Sequence, residues 1–514
     1  MNIESRINNS IKNISFGLLA QVIQMLFGFI TRTVFIKYLS VEYLGVNGLF
    51  TNILALLSLT EMGISSVLLF SLYKSLAEKE ERKIASLINF FKEIYCKIAV
   101  IVAVIGLLLM FFLNDIVQNP SVPLARDLNI IYLLFLFNTV SSYFFYYKIS
   151  LFNADQNGYI ISICNALVFV VQNIVQIILL VFFKNFILYL IVQSVFQLSG
   201  NLAISLLINK YYPFLKKYKN EKVDENTKKN IFSSVKSTAL VKIGGLLVNS
   251  TDNLILNYFS GLAMVGLLSN YNLLIGLASG LIVQVFSSLT GSIANVNVTE
   301  DIKKRTSIFN SINFANFWLY GFFSICILVL INDFITIWIG TKFILSIPVV
   351  IALTFNFYMY GMQNAVWTYK STFGFFKEGQ YLVILTAIIN LVLSFVLGKQ
   401  LGLLGILIAT ALARLMTNAW YDPYIVLKLG LNKKPIEYLK KYLLYLVILT
   451  ISYLIINCIT NYLPFEMKVN FGIKIILCLI VPNLFIYLFF KSSEEFRYFK
   501  SILFLLIIKK NKKR

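Results

Sequence analysis

Apolar runs of roughly twenty residues alternate with short polar gaps along almost all of the 514-residue chain. A helix needs about 20 apolar residues to cross the hydrocarbon of a bilayer. Fourteen stretches meet that pattern: 14–37, 44–70, 94–113, 128–147, 159–183, 186–208, 237–259, 264–290, 308–331, 347–368, 381–398, 402–427, 442–462 and 471–490. In lipid every backbone polar group needs an internal partner, so each stretch is predicted to be a helix. No long alternating segments suggest a β-barrel. The polar start MNIESRINNSIKNIS leads into an apolar run that continues to about Leu39 without a small-residue cleavage site. It reads as a first span, not a removable signal.

Composition agrees with the pattern. Hydrophobic residues make up 58% of the chain and charged residues only 13%, with 45 Phe and 29 Tyr. A soluble core cannot hide that much apolar surface. The net charge of +22 raises a nucleic-acid reading, but the placement of the bases argues against it. With the N-terminus in the cytoplasm, 35 Lys and Arg fall in or beside inner segments and only 7 in or beside outer segments. That asymmetry is the positive-inside rule. It orients both termini to the cytoplasm and leaves the tail KKNKKR against anionic headgroups.

The chain has no histidine, and its five cysteines sit in apolar stretches without CxxC spacing. They read as small core residues, with no disulfide or metal expected. Nucleotide-binding, metalloprotease and serine-hydrolase motifs are missing. No enzymatic function is expected, although a membrane transferase needs only a carboxylate and a positive site.

Two polar gaps resemble one another. YKISLFNADQNGY at 147–159 and YKSTFGFFKEGQY at 369–381 share Tyr, Lys and Tyr at an offset of 222. IKYLS (36–40) resembles LNYFS (256–260), SIK (10–12) resembles SVK (234–236), and QLSGN (197–201) resembles RLMTN (414–418), at offsets of 220, 224 and 217. Four matches in chain order imply two parallel six-span halves, an arrangement that commonly clasps a binding site and rocks between two open states. The expected organisation is an N-terminal six-helix lobe at 1–210, a solvated cytoplasmic linker at 211–230, a C-terminal lobe at 231–428, and two further helices with a basic tail at 429–514.

Charges near a helix centre cost about 2.5–3.5 kcal/mol on insertion scales, so they normally face a bundle interior or a wet cavity. Arg32, Glu61, Lys242, Asp252 and Arg414 are such charges, and Lys148 and Lys370 stand at the inner mouths of spans 4 and 10. Each has a plain alternative. Arg32 and Lys242 can snorkel to the headgroups. Lys148 and Lys370 can be inner anchors. Arg414 lies about mid-span, which favours a cavity role. Asp252 can pair with a base, titrate or bind a coupling ion. Glu61, beside Gly63 and Ser65, suits either a structural hydrogen bond or coupling.

The stretches YLGVNGLFTNILALLSLTEMG (43–63), SLYKSLAEKE (71–80), SSYFFYYKISLFNADQNGY (141–159), STDNLILNYFSGLAMVGLLSNYNLLI (250–275), GSIAN (291–295), IWIG (337–340), FYMYGMQN (357–364) and AWYDP (419–423) together resemble bacterial polysaccharide exporters. These belong to the multidrug/oligosaccharidyl-lipid/polysaccharide exporter superfamily. The resemblance runs from the first span to about residue 425; the last two spans match only in hydrophobicity. It implies an all-α fold of about 14 transmembrane helices, with two pseudo-symmetric six-helix lobes around a central cavity and two C-terminal helices. It further implies a flippase of the bacterial plasma membrane. Such a protein moves undecaprenyl-diphosphate-linked repeat units from the inner to the outer leaflet, for capsule or O-antigen, by alternating access. Under that reading Arg32, Lys148, Lys370 and Arg414 meet the diphosphate or sugar. Asp252 and Glu61 serve ion coupling. No cofactor is needed beyond Na+, H+ or the membrane potential. Partners are the lipid-linked oligosaccharide, membrane lipids and other polysaccharide-assembly proteins. A cation-coupled multidrug exporter of the same superfamily, or a membrane polymerase or ligase, is the alternative.

Overall fold

The computed structural model describes residues 3–58, 64–117, 120–375, 378–462 and 466–498, without the side chains of 3–11, 236–249 and scattered other helix positions. Among the described residues there is no strand. Fifteen helices of eight or more residues lie among the described residues. The first seven are α1 (Ile3–Tyr38), α2 (Val41–Leu57), α3 (Ile64–Ala77), α4 (Glu81–Leu109), α5 (Val122–Ala154), α6 (Gly158–Phe183) and α7 (Phe186–Tyr211). They are followed by α8 (Glu225–Thr299), α9 (Ile302–Ile339), α10 (Ile347–Thr372) and α11 (Gln380–Leu401). The last are α12 (Leu403–Met416), α13 (Asn418–Ile425), α14 (Pro435–Asn461) and α15 (Met467–Phe490). Eleven helical stretches among the described residues are long and apolar enough to cross a membrane. The protein is an all-α, multi-pass membrane protein, and every expected span is mostly helical where its residues are described.

Four spans differ in detail. The stretch 44–70 forms two helices, α2 and α3; the intervening 59–63, and with them Glu61, lie outside the described residues. Spans 237–259 and 264–290 are the two limbs of α8. They are hinged at Gly261, whose φ of 76° and ψ of 171° suit a residue without Cβ. The stretch 402–427 breaks at Thr417, with φ −129° and ψ −97°, three residues beyond Arg414. The break is held by the Thr417 hydroxyl, which lies 2.6 Å from the Ala413 carbonyl and 2.7 Å from the Thr386 hydroxyl.

The chain divides into two compact units, Met1–Ser269 and Asn270–Arg514. In the first, α5 packs on α4, α3 and α7, and α1 packs on α6. A two-residue turn joins α6 to α7. Lys184 takes a left-handed conformation, and the Asn185 side chain accepts from the Ile187 and Leu188 amides at 2.8 and 3.2 Å. Such a cap contributes about 0.5–2 kcal/mol. The start of the second limb of α8 crosses α2 closely. A Cβ on Gly45 would lie 2.1 Å from the Leu262 carbonyl oxygen, and one on Gly266 would lie 2.3 Å from that of Val41. Small residues allow this backbone approach. Residues up to 269 therefore pack within the first unit, whereas the repeat is a relation of sequence and side-chain pairing rather than of compactness.

The 211–230 segment is anchored at several points. Tyr212 and Val223 are buried, and Asn89 of α4 donates to the Tyr218 and Glu221 carbonyls at 3.0 and 3.1 Å. The Tyr212 hydroxyl donates to Asp155 at 2.6 Å. Burial, and then this carboxylate, push the Tyr212 phenol well above its usual range.

In the second unit α10 packs on α9 and α12, and α11 packs on α12. The last two helices, α14 and α15, dock on α9. The Phe317 and Tyr445 rings stack at 3.7 Å, and the Trp318 indole donates to Asn483 at 2.7 Å. Away from these seams both units expose large apolar side chains such as Phe111, Leu167, Phe182 and Leu443, as a lipid-facing surface requires.

Candidate functional site

The two lysines of the repeat occupy matching places with different partners. Lys148, near the end of α5, donates from Nζ to the Ser205 hydroxyl of α7 at 2.7 Å. Lys370, near the end of α10, donates to the Asp422 carboxylate of α13 at 2.6 Å. Ser205 and Asp422 are 217 residues apart, the offset that relates QLSGN to RLMTN. The repeat thus conserves a geometry and changes a charge. In the first unit no carboxylate among the described residues pairs with Lys148, and the neighbouring charges that act on it are Lys92 and Lys216. In the second unit Asp422 is buried at 4% exposure and neutralises Lys370.

Arg414 belongs to the same network as Lys370. Its guanidinium lies over the Tyr360 ring at 5.1 Å. The Tyr360 and Trp367 rings meet edge to face at 5.0 Å. The Trp367 indole donates to the second oxygen of Asp422 at 3.0 Å. One carboxylate thus serves two bases: Lys370 of α10 directly, and Arg414 of α12 through two aromatic rings. The related place in the first unit is uncharged: Gln197 donates to the Asn138 carbonyl at 3.1 Å. Asn138 corresponds to Tyr360, and Gln197 to Arg414, at offsets of 222 and 217.

Arg32 lies on α1 and donates to the Ser269 hydroxyl, beside Thr31, which pairs with Asn173 at 2.5 Å. It is half-buried and points to a neighbouring helix, so a polar partner within the protein holds it. Asp252 is half-buried on the first limb of α8, flanked by buried Ser250 and Thr251. The side chain of Lys242 lies outside the described residues, as does Glu61. Among the described residues no cluster of three or more Cys, Asp and Glu fits a metal ion.

Ser205, Asp422, Tyr360 and Asn138 carry this geometry, and inspection for intramembrane charge passes over three of them because they are neutral. Asp422 stands in the AWYDP stretch yet was not among the buried acids expected. The offsets of the repeat are the signal that points to all four.

The family model of polysaccharide biosynthesis proteins matches residues 10–290. Among solved structures the chain resembles the lipid II flippase MurJ in an inward closed conformation, at 16% identity and a TM-score of 0.59, over 95% of this chain and 97% of that one. It also resembles an inward-facing multidrug resistance MATE family transporter of the MOP superfamily, at 11% identity and a TM-score of 0.61, over 78% of this chain and 95% of the other. A MATE transporter from Vibrio cholerae aligns at 12% identity and a TM-score of 0.51, over 83% and 98% of the two chains. At these identities the likeness is one of fold. No curated protein matches the chain.

Proposed function

This chain belongs to the polysaccharide biosynthesis protein family, and on that footing we propose that it is a flippase for polyprenyl-diphosphate-linked oligosaccharides. The lipid is undecaprenyl diphosphate, the membrane is the bacterial plasma membrane with both termini inside, and the product feeds capsule or O-antigen assembly by partner proteins. Nothing covalent happens to the substrate. The obstacle is physical: a diphosphate and its sugars cannot enter hydrocarbon, whereas the prenyl tail can stay in it.

One observation carries the reading. Lys148 is held by a neutral hydroxyl, with Lys92 and Lys216 as its charged neighbours. Lysine is a point charge suited to phosphate oxygens, and a diphosphate supplies the counter-charge that Ser205 does not. Bases at this place favour an anionic cargo over the cationic cargo of a drug exporter. Outward movement of an anion is assisted by an inside-negative potential, by about 2.3 kcal/mol per charge per 100 mV. Coupling to Na+ or H+ through Asp252 is the second source of drive, and Arg32 and Arg414 are further contacts in this proposal.

Depletion of the protein in its own host tests it. The expected result is accumulation of polyprenyl-diphosphate-linked oligosaccharide on the cytoplasmic leaflet and loss of surface polysaccharide. Undiminished surface polysaccharide of every type after depletion would end the proposal.

A further inference from the structure

A cavity of about 320 Å³ lies within the first unit, inside the range of about 300–1,000 Å³ for small-molecule sites. Asn47, Thr51, Asn138, Tyr146, Gln193 and Gln197 line it, and none of its lining residues is charged. Amides and hydroxyls here are drawn from α2, α5 and α7. Some are engaged: the Tyr143 hydroxyl donates to Ser58 at 2.8 Å, and Gln197 donates to the Asn138 carbonyl. The Asn138 side chain is the exception. It is 6% exposed, and neither its Nδ2 nor its Oδ1 has a hydrogen-bond partner among the described residues. A buried amide left so is costly, and each of its two ends asks for a different partner. A sugar hydroxyl donates and accepts, so adjacent hydroxyls of one ring satisfy both ends of an amide.

The cavity and Lys148 lie along one seam. Gln197 and Ser205 are both on α7; Asn138 and Lys148 are both on α5. Ser142, in the cavity wall, precedes Lys148 by 6 residues, which is about 9 Å along a helix at about 1.5 Å per residue. A charged end and a neutral, hydrogen-bonding end are thus set about one or two sugar lengths apart. In the second unit the related positions hold the Arg414–Tyr360 stack, so the uncharged pair Asn138 and Gln197 is a feature of the first unit.

We infer that this cavity is a glycan subsite, which takes an uncharged sugar of the lipid-linked substrate while Lys148 holds its diphosphate. The inference rests on the flippase reading and adds to it where the sugar is read. Specificity for the repeat unit then resides in the α5–α7 seam, because a site built to hydrogen-bond hydroxyls rejects a ring that lacks them.

Binding to the purified full-length protein tests this with three probes. They are the polyprenyl-diphosphate-linked glycan pool extracted from a strain lacking the protein, the free glycan released from that pool by mild acid, and undecaprenyl diphosphate alone. The wild type is expected to bind all three. N138L and Q193L should weaken free glycan about tenfold or more while binding undecaprenyl diphosphate as the wild type does, which also shows that they are folded. K148M should do the reverse. Free glycan bound equally by N138L, Q193L and wild type overturns the subsite. So does wild type that binds undecaprenyl diphosphate and ignores the glycan. If wild type binds neither intact lipid nor undecaprenyl diphosphate, the flippase reading fails and the subsite fails with it.

Discussion

Lys370 donates to the Asp422 carboxylate at 2.6 Å across 52 residues of chain, and both side chains are largely buried. Removing one member of such a pair leaves an uncompensated buried charge, at a cost of about 3–5 kcal/mol. Lys370→Met should therefore unfold at a clearly lower temperature in detergent. Lys370→Met combined with Asp422→Asn should recover much of the loss, because the charge is gone and the Trp367 indole keeps an oxygen acceptor. A Lys370→Met protein as stable as the wild type would mean that the pair is not structural.

Ser205 stands where the second unit has Asp422, so a single substitution can copy the second arrangement into the first. Ser205→Asp should neutralise Lys148 and lower surface polysaccharide at unchanged protein level. The loss of one charge-assisted contact to phosphate predicts a fall of about tenfold or more. Ser205→Ala leaves the lysine charged and should have a small effect. Polysaccharide per unit of membrane protein is the measurement, and wild-type output from Ser205→Asp would refute a role for the Lys148 charge.

Arg414 meets Tyr360 through the ring face. Tyr360→Phe keeps that face and should be tolerated. Tyr360→Leu removes an interaction of about 0.5–2 kcal/mol, and should lower export severalfold. Arg414→Ala should abolish surface polysaccharide and Arg414→Lys should keep part of it. Full export by Arg414→Ala at normal expression would remove the residue from the substrate path.

Asp252 is the described acid assigned to coupling. Asp252→Asn should change how transport in proteoliposomes depends on Na+ or on the pH gradient. An identical ion response with a lowered unfolding temperature would identify a structural carboxylate instead.

The helices were legible because solvent chemistry alone selects them. A run such as IISICNALVFVVQNIVQIILLVFF can satisfy its backbone in lipid only as a helix, whatever it later packs against. The pair Lys148 and Lys370 was legible too, since Tyr, Lys and Tyr recur at one spacing. What the two lysines do was not. They share sequence context, and their difference lies in a partner 57 residues away in one case and 52 in the other. Nor does sequence separate Asn138, which lacks a partner, from Asn173, which has one in Thr31 and another in the Phe169 carbonyl.

The sequence by itself determined the class of protein, the positions of the spans and the existence of a repeat. The first two follow from transfer of side chains and backbone between water and hydrocarbon, a property of residues taken in local runs, and the repeat is read from residues that recur at one offset. Only the tertiary structure decided which bases are neutralised, where an uncharged cavity opens and that the 211–230 segment is docked. Those depend on which atoms of distant helices come within hydrogen-bond distance. At that range a serine in place of an aspartate, or a glutamine in place of an arginine, reverses what a site can bind.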